Sequence, residues 1–275
     1  MQPSVLIVIL NYVTYDLTLQ VIKNIQENLE YNNYKIMVID NFSPNESATV
    51  LEKKKDEIGY IFFANKVNSG YAAGNNIGIR YAINYNFKYT LILNNDVELR
   101  DNNVLTKLVN IAESNDKIGC VGPKIYSFDG RPCAPYCRRQ SFWNMTLGLF
   151  ENKRYRSKFI DISREVYRVY GCCMLLRNKT MNDIDCMDER TFLYCEEDIL
   201  AERLLEKRYV TYYDSSVSVT HNESTTMKRI SSNKKKLQII EKEKSRELYL
   251  KEYRKFNFIE RYICHMVQRI IEYLR

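Results

Sequence analysis

Apolar residues in the first 125 positions fall into short runs separated by longer segments of helical periodicity. The runs are rich in β-branched and aromatic residues, which is typical of buried strands. They comprise Val5 to Leu10, Lys35 to Ile39, Tyr60 to Ala64, Tyr89 to Leu93 and Ile118 to Val121. The helical segments comprise Asp16 to Leu29, Asn45 to Glu57, Tyr71 to Asn84 and Asn103 to Ser114. This alternation predicts an α/β fold with a parallel sheet covered by helices on both faces.

The pattern changes after the fifth predicted strand. Residues 127 to 165 are aromatic and basic, contain the only tryptophan, and predict an irregular insert over the sheet edge. A strand-like run follows at Val166 to Leu176, a helix begins near Glu196, and Lys207 to Tyr213 predicts another strand. Beyond Asn233 the pattern is helical. We therefore predict a main domain over residues 1–227 and a helical tail over residues 228–275.

The tail differs from the main domain in charge. Residues 228–275 contain 14 Lys or Arg and 6 Asp or Glu, a net charge of +8, whereas residues 1–227 carry 27 against 28, a net charge of −1. One face of the last helix is apolar and comprises Ile259, Tyr262, Ile263, Met266, Val267, Ile270, Ile271 and Leu274. A basic amphipathic helix predicts binding to an anionic membrane surface. Packing on the main domain or on a second subunit is the alternative.

Composition narrows the class of protein. Of the 275 residues, 45% are apolar and 27% are charged, which is typical of a globular domain. No run approaches the roughly 18 apolar residues of a membrane span. The N-terminus predicts a first strand rather than a signal peptide, so we expect a cytoplasmic protein, with the inner face of the cell membrane as its site if the tail binds lipid. The eight cysteines include no CxxC pair, which favours reduced thiols over a zinc module.

The chain changes abruptly from apolar to polar where the fourth strand ends. Tyr89 to Leu93 run directly into Asn94, Asn95 and Asp96. Open α/β sheets bind their ligands at the carboxyl ends of their strands, so Asp96 is a candidate metal ligand. A turn or helix cap is the alternative.

Two other polar segments follow predicted strands. Asp40 and Asn41 end the second strand, where a carboxylate can accept hydrogen bonds from a nucleobase or ribose, or cap the next helix. The third strand leads into NSGYAAGNNIG, whose glycines Gly70, Gly74 and Gly78 are spaced by four. A Gly-rich turn that opens a helix suits a diphosphate, because backbone N–H groups point outward there. Close packing of helix on sheet is the alternative.

Acidic residues and a histidine complete the candidate chemistry. Glu196, Glu197 and Asp198 open a helix, where a carboxylate aimed into a cleft could act as general base. They could also complement the helix dipole, and helical geometry allows at most one or two of them to face a site. His221 is one of two histidines. A lone histidine is more often structural or exposed than a metal ligand.

These segments, in this order, resemble the family 2 glycosyltransferases, especially bacterial rhamnosyltransferase-like members, from about Ser4 to Thr226. The matching segments are VLIVILNY, VIDNFSPNES, NSGYAAGNNIGI, LILNNDVEL, GCCMLLRN and FLYCEEDILAERL. The resemblance implies the GT-A nucleotide-diphospho-sugar transferase fold, with a mainly parallel sheet flanked by helices. It also implies inverting transfer of a sugar from a nucleotide-diphosphate donor, such as dTDP-rhamnose or a UDP-sugar, to a hydroxyl of a glycan or lipid-linked acceptor in bacterial surface polysaccharide synthesis.

The resemblance also implies roles for individual residues. The donor contacts would be Asn11, Asp40, Asn41, Asn68, Gly70, Gly74, Asn75 and Asn95. Asp96 and His221 would hold Mn²⁺ or Mg²⁺, and the imidazole fits Mn²⁺ better. The family's usual Asp-x-Asp is here Asn94-Asn95-Asp96, so Asp96 alone supplies a carboxylate, and phosphate oxygens and water would complete the ligand set.

The same resemblance places the general base in the acidic segment. Counting back from Leu200 selects Glu197 as the catalytic base. Asp198 is the substitute, and Glu196 would position the acceptor.

Two other classes of protein stay open at this point. A nucleic-acid-binding protein would use Lys234 to Lys236 of the basic tail but would leave Asp96 and the Gly-rich segment without a role. A non-catalytic sugar-nucleotide binder would need neither Asp96 nor Glu197, and both are present. We therefore predict an enzyme with no nucleic-acid partner.

Overall fold

A computed structural model describes residues 2–222 and 232–273. The strands are β1 (Val5–Asn11), β2 (Tyr34–Asp40), β3 (Ile61–Ala64), β4 (Tyr89–Asn94), β5 (Val97–Leu99), β6 (Ile118–Ser127), β7 (Arg164–Val166), β8 (Cys173–Arg177) and β9 (Val210–His221). The helices are α1 (Tyr15–Asn28), α2 (Ser47–Ile58), α3 (Tyr71–Asn84), α4 (Val104–Ser114), α5 (Phe142–Met145), α6 (Leu149–Ser157), α7 (Asn178–Asp183), α8 (Glu196–Glu206), α9 (Ser232–Leu248) and α10 (Phe258–Tyr273), with a π-helical turn (Tyr249–Tyr253) between the last two. The predicted alternation of strand and helix in the first 125 residues is confirmed.

The described strands form one nine-stranded sheet in the order β3-β2-β1-β4-β8-β6-β9-β5, with β7 also paired to β9. Strands β3, β2, β1 and β4 run parallel. Strand β8 is antiparallel to β4 and β6, and β9 is parallel to β6 but antiparallel to β5 and β7. The carboxyl ends of β1, β2 and β4 therefore meet at one edge, where such sheets bind ligands.

The predicted, mainly parallel sheet is confirmed, with β5, β7 and β8 antiparallel to the other six strands. The strand predicted at Val166 to Leu176 is divided between the end of β7 and most of β8, with an irregular segment between them. The strand predicted at Lys207 to Tyr213 is the first part of a longer strand that continues to His221. Residues 127 to 165, predicted to be irregular, contain the short helices α5 and α6. Apolar runs do not specify strand direction, because direction depends on tertiary pairing.

Helices cover both faces of the sheet. Along β1, Val5, Ile7 and Ile9 belong to one buried core, whereas Leu6 and Val8 belong to the other. Helices α1, α2 and α4 contribute to the first core, and α3, α7 and α8 contribute to the second. Burial on both faces explains why the strand sequence is continuously apolar. The eight cysteines are free thiols, as predicted.

The described part of the C-terminal segment packs on the main body. Tyr249 of the π-helical turn is buried in a cluster with Ile199 of α8. Its hydroxyl lies 2.9 Å from that of Tyr167. Arg254 lies 3.5 Å from the buried carboxylate of Glu202, also on α8. Of the two interpretations of the tail, packing on the main domain therefore holds for the π-helical turn and the residues beside it. Most of the apolar face predicted on α10 is instead exposed.

Two features of the predicted tail fall outside the described residues. These are the boundary between residues 227 and 228, and Leu274 at the end of the apolar face. Within residues 2–222 and 232–273, no helix combines the length and the apolar character that crossing a bilayer requires.

Replacing Tyr249 with Ala should lower the free energy of unfolding by about 3–5 kcal/mol, the usual cost of deleting a large buried aromatic side chain. The ring is 4% exposed, and its removal would also take a hydrogen-bond partner from Tyr167. Urea denaturation measures the effect. The matched control is Tyr262→Ala on α10, where the ring is 58% exposed, and we expect a change within about 0.5 kcal/mol. Equal losses for both variants would contradict this packing of the C-terminal segment.

Candidate active site

Asp96 and His221 come together at the carboxyl edge of the sheet. Asp96 lies between β4 and β5, and the first residue of β5, Val97, pairs with His221 at the end of β9. Asp96 Oδ1 lies 3.1 Å from His221 Nε2, and both side chains are largely buried. Burial disfavours the imidazolium, but hydrogen bonds to Asp96 and Cys172 outweigh it and raise the pKa of His221 well above its ordinary value.

The Asp96–His221 pair fits a divalent cation. A carboxylate oxygen and an imidazole nitrogen are suitable ligands for Mn²⁺, and Mg²⁺ prefers the oxygen. Among the residues described, no group of three or more His, Cys, Asp or Glu side chains could hold a metal ion. The remaining ligands would therefore be phosphate oxygens and water. A cation would also have to replace the proton of His221, because only the neutral imidazole binds metal.

Three of the predicted donor contacts belong to a buried network at the same edge. Asn11 Nδ2 donates to Asp40 Oδ2 at 2.7 Å. Asn95 Nδ2 donates to the hydroxyl of Thr14 at 2.9 Å, in the loop after β1. Asp40 also accepts hydrogen bonds from the backbone and hydroxyl of Ser43, which is a turn role rather than a helix cap. These contacts shape the loops after β1 and β2, and donor binding by these residues stays a prediction.

Asn41 ties the end of β2 to the Gly-rich segment. Its Nδ2 donates to Asn68 Oδ1 at 3.0 Å and to the carbonyl of Gly70 at 3.2 Å. Gly70 has φ +98°, and a Cβ there would overlap the backbone of Phe192. Gly70 is therefore required by both its conformation and its surroundings. The structure brings Asn41, Asn68 and Gly70 together beside the strand ends, and donor binding by them stays a prediction.

The inner part of the Gly-rich segment is a packing surface. A Cβ on Gly74 would lie 2.7 Å from the side chain of Leu10 in β1, which supports the packing alternative at this position. Asn75 is fully buried, and its Nδ2 donates to the carbonyl of Tyr71 at 3.0 Å. Its Oδ1 has no hydrogen-bond partner in the described part of the chain. Donor contacts from Gly74 and Asn75 stay predictions.

The three acidic residues that open α8 lie in different surroundings. Asp198 Oδ1 pairs with Arg168 Nε at 2.8 Å, so this carboxylate is held in an ion pair. Glu196 is buried, and its Oε2 has no partner among the described residues. Burial, together with the neighbouring Glu197, raises the pKa of Glu196 well above its ordinary value. The raised pKa favours the protonated form of Glu196, which makes it a weaker candidate for the general base.

Glu197 contacts the end of the irregular segment before β8. Its Oε1 accepts the backbone N–H of Gly171 at 3.1 Å. The turn before α8 is strained, because Tyr194 and Cys195 both have left-handed backbone conformations, with φ of 73° and 62°. Strained turns of this kind cluster at functional sites. The turn and the Gly171 contact together fix the position of Glu197.

The Gly171–Cys172 dipeptide lies between Glu197, the candidate base, and the Asp96–His221 pair, the candidate cation site. The N–H of Gly171 donates to Glu197, and the side chain of Cys172 lies beside the imidazole of His221. The hydroxyl of Tyr71 donates to the carbonyl of Gly171 at 2.8 Å and links the dipeptide to the first turn of α3. The segments that carry Glu197, His221 and the Gly-rich motif therefore converge on two consecutive residues.

Sequence reasoning missed Tyr71, Gly171 and Arg168 as site residues. Tyr71 lies in the Gly-rich motif, where a hydroxyl-bearing ring among small residues was a usable signal. Gly171 begins GCCMLLRN, one of the segments that resemble family 2 glycosyltransferases. Nothing in the local sequence of Arg168 indicates its partner, because Asp198 is distant along the chain.

Replacing Gly171 with Ala should displace the Glu197 carboxylate, since a Cβ there would lie 2.7 Å from Glu197 Oε1. A shift of about 1 Å in a reacting group can cost about 10²-fold in rate, so we expect turnover to fall by one to two orders of magnitude while donor binding persists. Steady-state kinetics of Gly171→Ala, Glu197→Gln and the double variant test this, because the alanine should have little further effect once Glu197 is Gln. Fully additive effects would contradict it.

The sequence matches the family model "Glycosyl transferase family 2" over residues 4–184. The "Low-salt glycan biosynthesis hexosyltransferase Agl10" of Haloferax volcanii is 26% identical over 203 residues, covering 72% of this chain and 62% of that protein. This chain therefore spans less than two thirds of the length of that curated relative. The relative is an archaeal hexosyltransferase, so the narrower resemblance to bacterial rhamnosyltransferases is not confirmed.

Solved structures share the fold. The mannosyltransferase PcManGT of Pyrobaculum calidifontis, in complex with GDP-Man and Mn²⁺, has a TM-score of 0.58 at 12% identity and covers 80% of this chain and 57% of its own. GalNAc-T7 with UDP, GalNAc and Mn²⁺ has a TM-score of 0.61 at 16% identity, with 80% and 44% covered. S. aureus TarS 1–349 in complex with UDP has a TM-score of 0.53 at 12% identity, with 79% and 60% covered. These likenesses show the GT-A fold, and with the family match over most of its length, the chain belongs to glycosyl transferase family 2.

Proposed function

We propose that this glycosyltransferase is an inverting, cation-dependent enzyme of the hexosyltransferase type. It would move a sugar from a nucleotide-diphosphate donor to a hydroxyl group. The observation that carries the proposal is the convergence of Glu197 and the Asp96–His221 pair on Gly171–Cys172. Direct displacement at a sugar carbon requires a general base for the acceptor hydroxyl and a cation-binding site for the leaving diphosphate. Both would lie at this edge of the sheet.

The donor would lie across the carboxyl ends of β1, β2 and β4. Asp40 and Asn41 at the end of β2 would face the nucleoside, and the segment around Asn68 and Gly70 would face the diphosphate. Asn11, Gly74, Asn75 and Asn95 are the remaining predicted contacts. PcManGT was solved with GDP-Man, and TarS with UDP, which supports a nucleotide-diphosphate donor. A UDP-sugar or dTDP-rhamnose is our proposed donor class.

Asp96 and His221 would hold Mn²⁺ or Mg²⁺. When bound, the cation neutralises charge on the leaving diphosphate as a Lewis acid. The presence of Mn²⁺ in the PcManGT and GalNAc-T7 structures supports this choice of cation. The protein's own contribution is the geometry of the pair, which the β5–β9 ladder fixes.

Glu197 would take the proton of the attacking acceptor hydroxyl. General base catalysis needs one ionised carboxylate within hydrogen-bond reach of that proton. Burial favours the protonated form of Glu196, and Asp198 is paired with Arg168, so Glu197 is the proposed base among the three. Direct attack on the face opposite the leaving group inverts the anomeric carbon, without a covalent intermediate. Double displacement would need a second carboxylate as nucleophile.

The acceptor would be a glycan or a lipid-linked sugar in bacterial surface polysaccharide synthesis. We propose a cytoplasmic protein that works at the inner face of the cell membrane, with the basic C-terminal segment toward the lipid. The relative Agl10 is a hexosyltransferase of glycan biosynthesis, which supports a glycan-building role for this chain.

A panel of nucleotide sugars tests the proposed activity. The purified protein is incubated with Mn²⁺ and each UDP-, GDP- or dTDP-sugar, and release of the nucleoside diphosphate is followed by chromatography. We expect turnover of one donor class that stops on chelation of the cation. The sugar released or transferred should have the anomeric configuration opposite to that of the donor, as seen by NMR. Retention of configuration would contradict the inverting mechanism.

A further inference from the structure

The apolar face of α10 is not covered by the part of the chain that the structure describes. Ile259, Tyr262 and Ile270 are 67%, 58% and 54% exposed. The polar side of the helix is occupied instead, because Arg261 and Arg269 form ion pairs with Glu247 and Glu243 on α9. The helix is thus fixed with its apolar face outward.

A second exposed apolar segment lies beside it. Trp143 in α5 is 53% exposed, and Leu147, two residues after α5, is 74% exposed. Helices α5 and α10 are in contact. Phe142, which precedes Trp143, and Cys264, which follows Ile263, belong to one buried cluster. The exposed residues of the two helices therefore lie next to the same buried cluster.

The charge around this surface favours an anionic partner. Lys251 in the π-helical turn and Lys255 just before α10 are exposed, and so are Lys153 and Arg154 on α6, which follows α5. A second copy of the chain would bring two such basic surfaces together, whereas anionic lipid attracts each Lys or Arg. Exposed Trp and Tyr are also the residues enriched at membrane interfaces.

We propose that α10 and the α5 segment form one membrane-binding surface for anionic lipid, with Trp143 and Leu147 inserted beside Ile259, Tyr262 and Ile270. The surface is made by two separate parts of the chain rather than by the C-terminal helix alone. A lipid-linked acceptor would be held at this surface, a step that rests on the proposed function.

Trp143 provides a direct test, because it is the only tryptophan in the chain. The full-length protein is mixed with vesicles of phosphatidylglycerol and phosphatidylcholine, and tryptophan emission is recorded. We expect a blue shift and strong quenching by brominated phosphatidylglycerol, with weaker binding to vesicles of phosphatidylcholine alone. Unchanged emission from protein that sediments with vesicles would overturn the role of the α5 segment.

Paired substitutions in the α5 segment and in α10 test the two parts of the surface separately by vesicle sedimentation. Trp143→Ser with Leu147→Ser, and Ile259→Ser with Ile270→Ser, should each weaken binding by about tenfold or more, because each pair removes two insertable apolar side chains. Phe63→Ser with Tyr85→Ser is the matched control, since these exposed rings belong to β3 and to the end of α3 and are not part of the cluster that joins α5 and α10, and it should bind like the unaltered protein. Loss in the control alone, or unaltered binding by the Trp143 variant, would overturn the proposal.

Two further measurements separate the outcomes. Sedimentation velocity without lipid shows whether the surface joins two copies, and a dimer that does not bind vesicles would overturn the membrane assignment. Nucleoside diphosphate binding with Mn²⁺, measured on the same samples, confirms that each variant is folded. Vesicle binding without nucleotide binding would refute the proposed function alone. Nucleotide binding without vesicle binding would refute the membrane surface alone.

Discussion

Replacing Asp96 with Asn is expected to lower the rate of sugar transfer by about three orders of magnitude or more, since a catalytic cation contributes several kcal/mol of charge stabilisation. The substitution keeps the shape of the side chain and removes the charge that would bind the cation. His221 alone would then hold the cation weakly. Steady-state kinetics over a range of Mn²⁺ concentrations measures the loss, and high Mn²⁺ should restore only a small part of the rate.

Glu98→Gln is the matched control for this substitution. Glu98 lies two residues further on, in β5, and its side chain is exposed. The same change of charge there should leave the rate within about twofold, as expected for a surface substitution away from the site. Equal activity of Asp96→Asn and Glu98→Gln would refute the assignment of Asp96.

Replacing Glu197 with Gln should lower turnover by about 10²–10⁴-fold, the usual contribution of acid–base catalysis. Gln fills the same space, and its amide oxygen can still accept the N–H of Gly171. Donor binding should therefore be unchanged, so the loss should appear in kcat rather than in the affinity for the nucleotide sugar. Glu206→Gln at the exposed end of the same helix is the control and should remain active.

The neighbouring acids should respond differently. Glu196→Gln replaces a buried carboxyl, whose raised pKa favours the protonated form, with an amide of the same size, so we expect most of the activity to remain. Asp198→Asn breaks the ion pair with Arg168 and should lower the free energy of unfolding by about 1–3 kcal/mol, as expected for a partly buried ion pair. If either substitution abolishes turnover in a stable protein while Glu197→Gln does not, the base has been misassigned.

The sequence predicted the first half of the fold well because its strands are buried on both faces. Runs such as Tyr89 to Leu93 end abruptly in polar residues, and this marks the strand end and the candidate site together. The reversed strand β8 was not predicted, because its apolar residues would suit either direction. The ladder that brings His221 to Asp96 joins segments distant along the chain, so only the resemblance to a family indicated that pair.

The surroundings of each carboxylate were also beyond the local sequence. Glu196, Glu197 and Asp198 are consecutive acids, and spacing alone could not tell which carboxyl group is buried without a partner, which contacts a backbone N–H and which forms an ion pair. These contacts depend on Arg168 and Gly171, which belong to the irregular segment between β7 and β8. The apolar stripe of α10 was predicted correctly, but its exposure depends on ion pairs with α9 that hold the opposite face.

The central claim is that Asp96 binds the donor's diphosphate through a divalent cation, while Glu197 acts only on the acceptor. Calorimetric titration of the protein with UDP, GDP and dTDP, with Mn²⁺ and with chelator, tests it most directly. We predict that one nucleotide binds tightly only with Mn²⁺, that Asp96→Asn abolishes this binding, and that Glu197→Gln retains it. Binding that is equally tight without the cation, or that survives Asp96→Asn unchanged, would contradict the account.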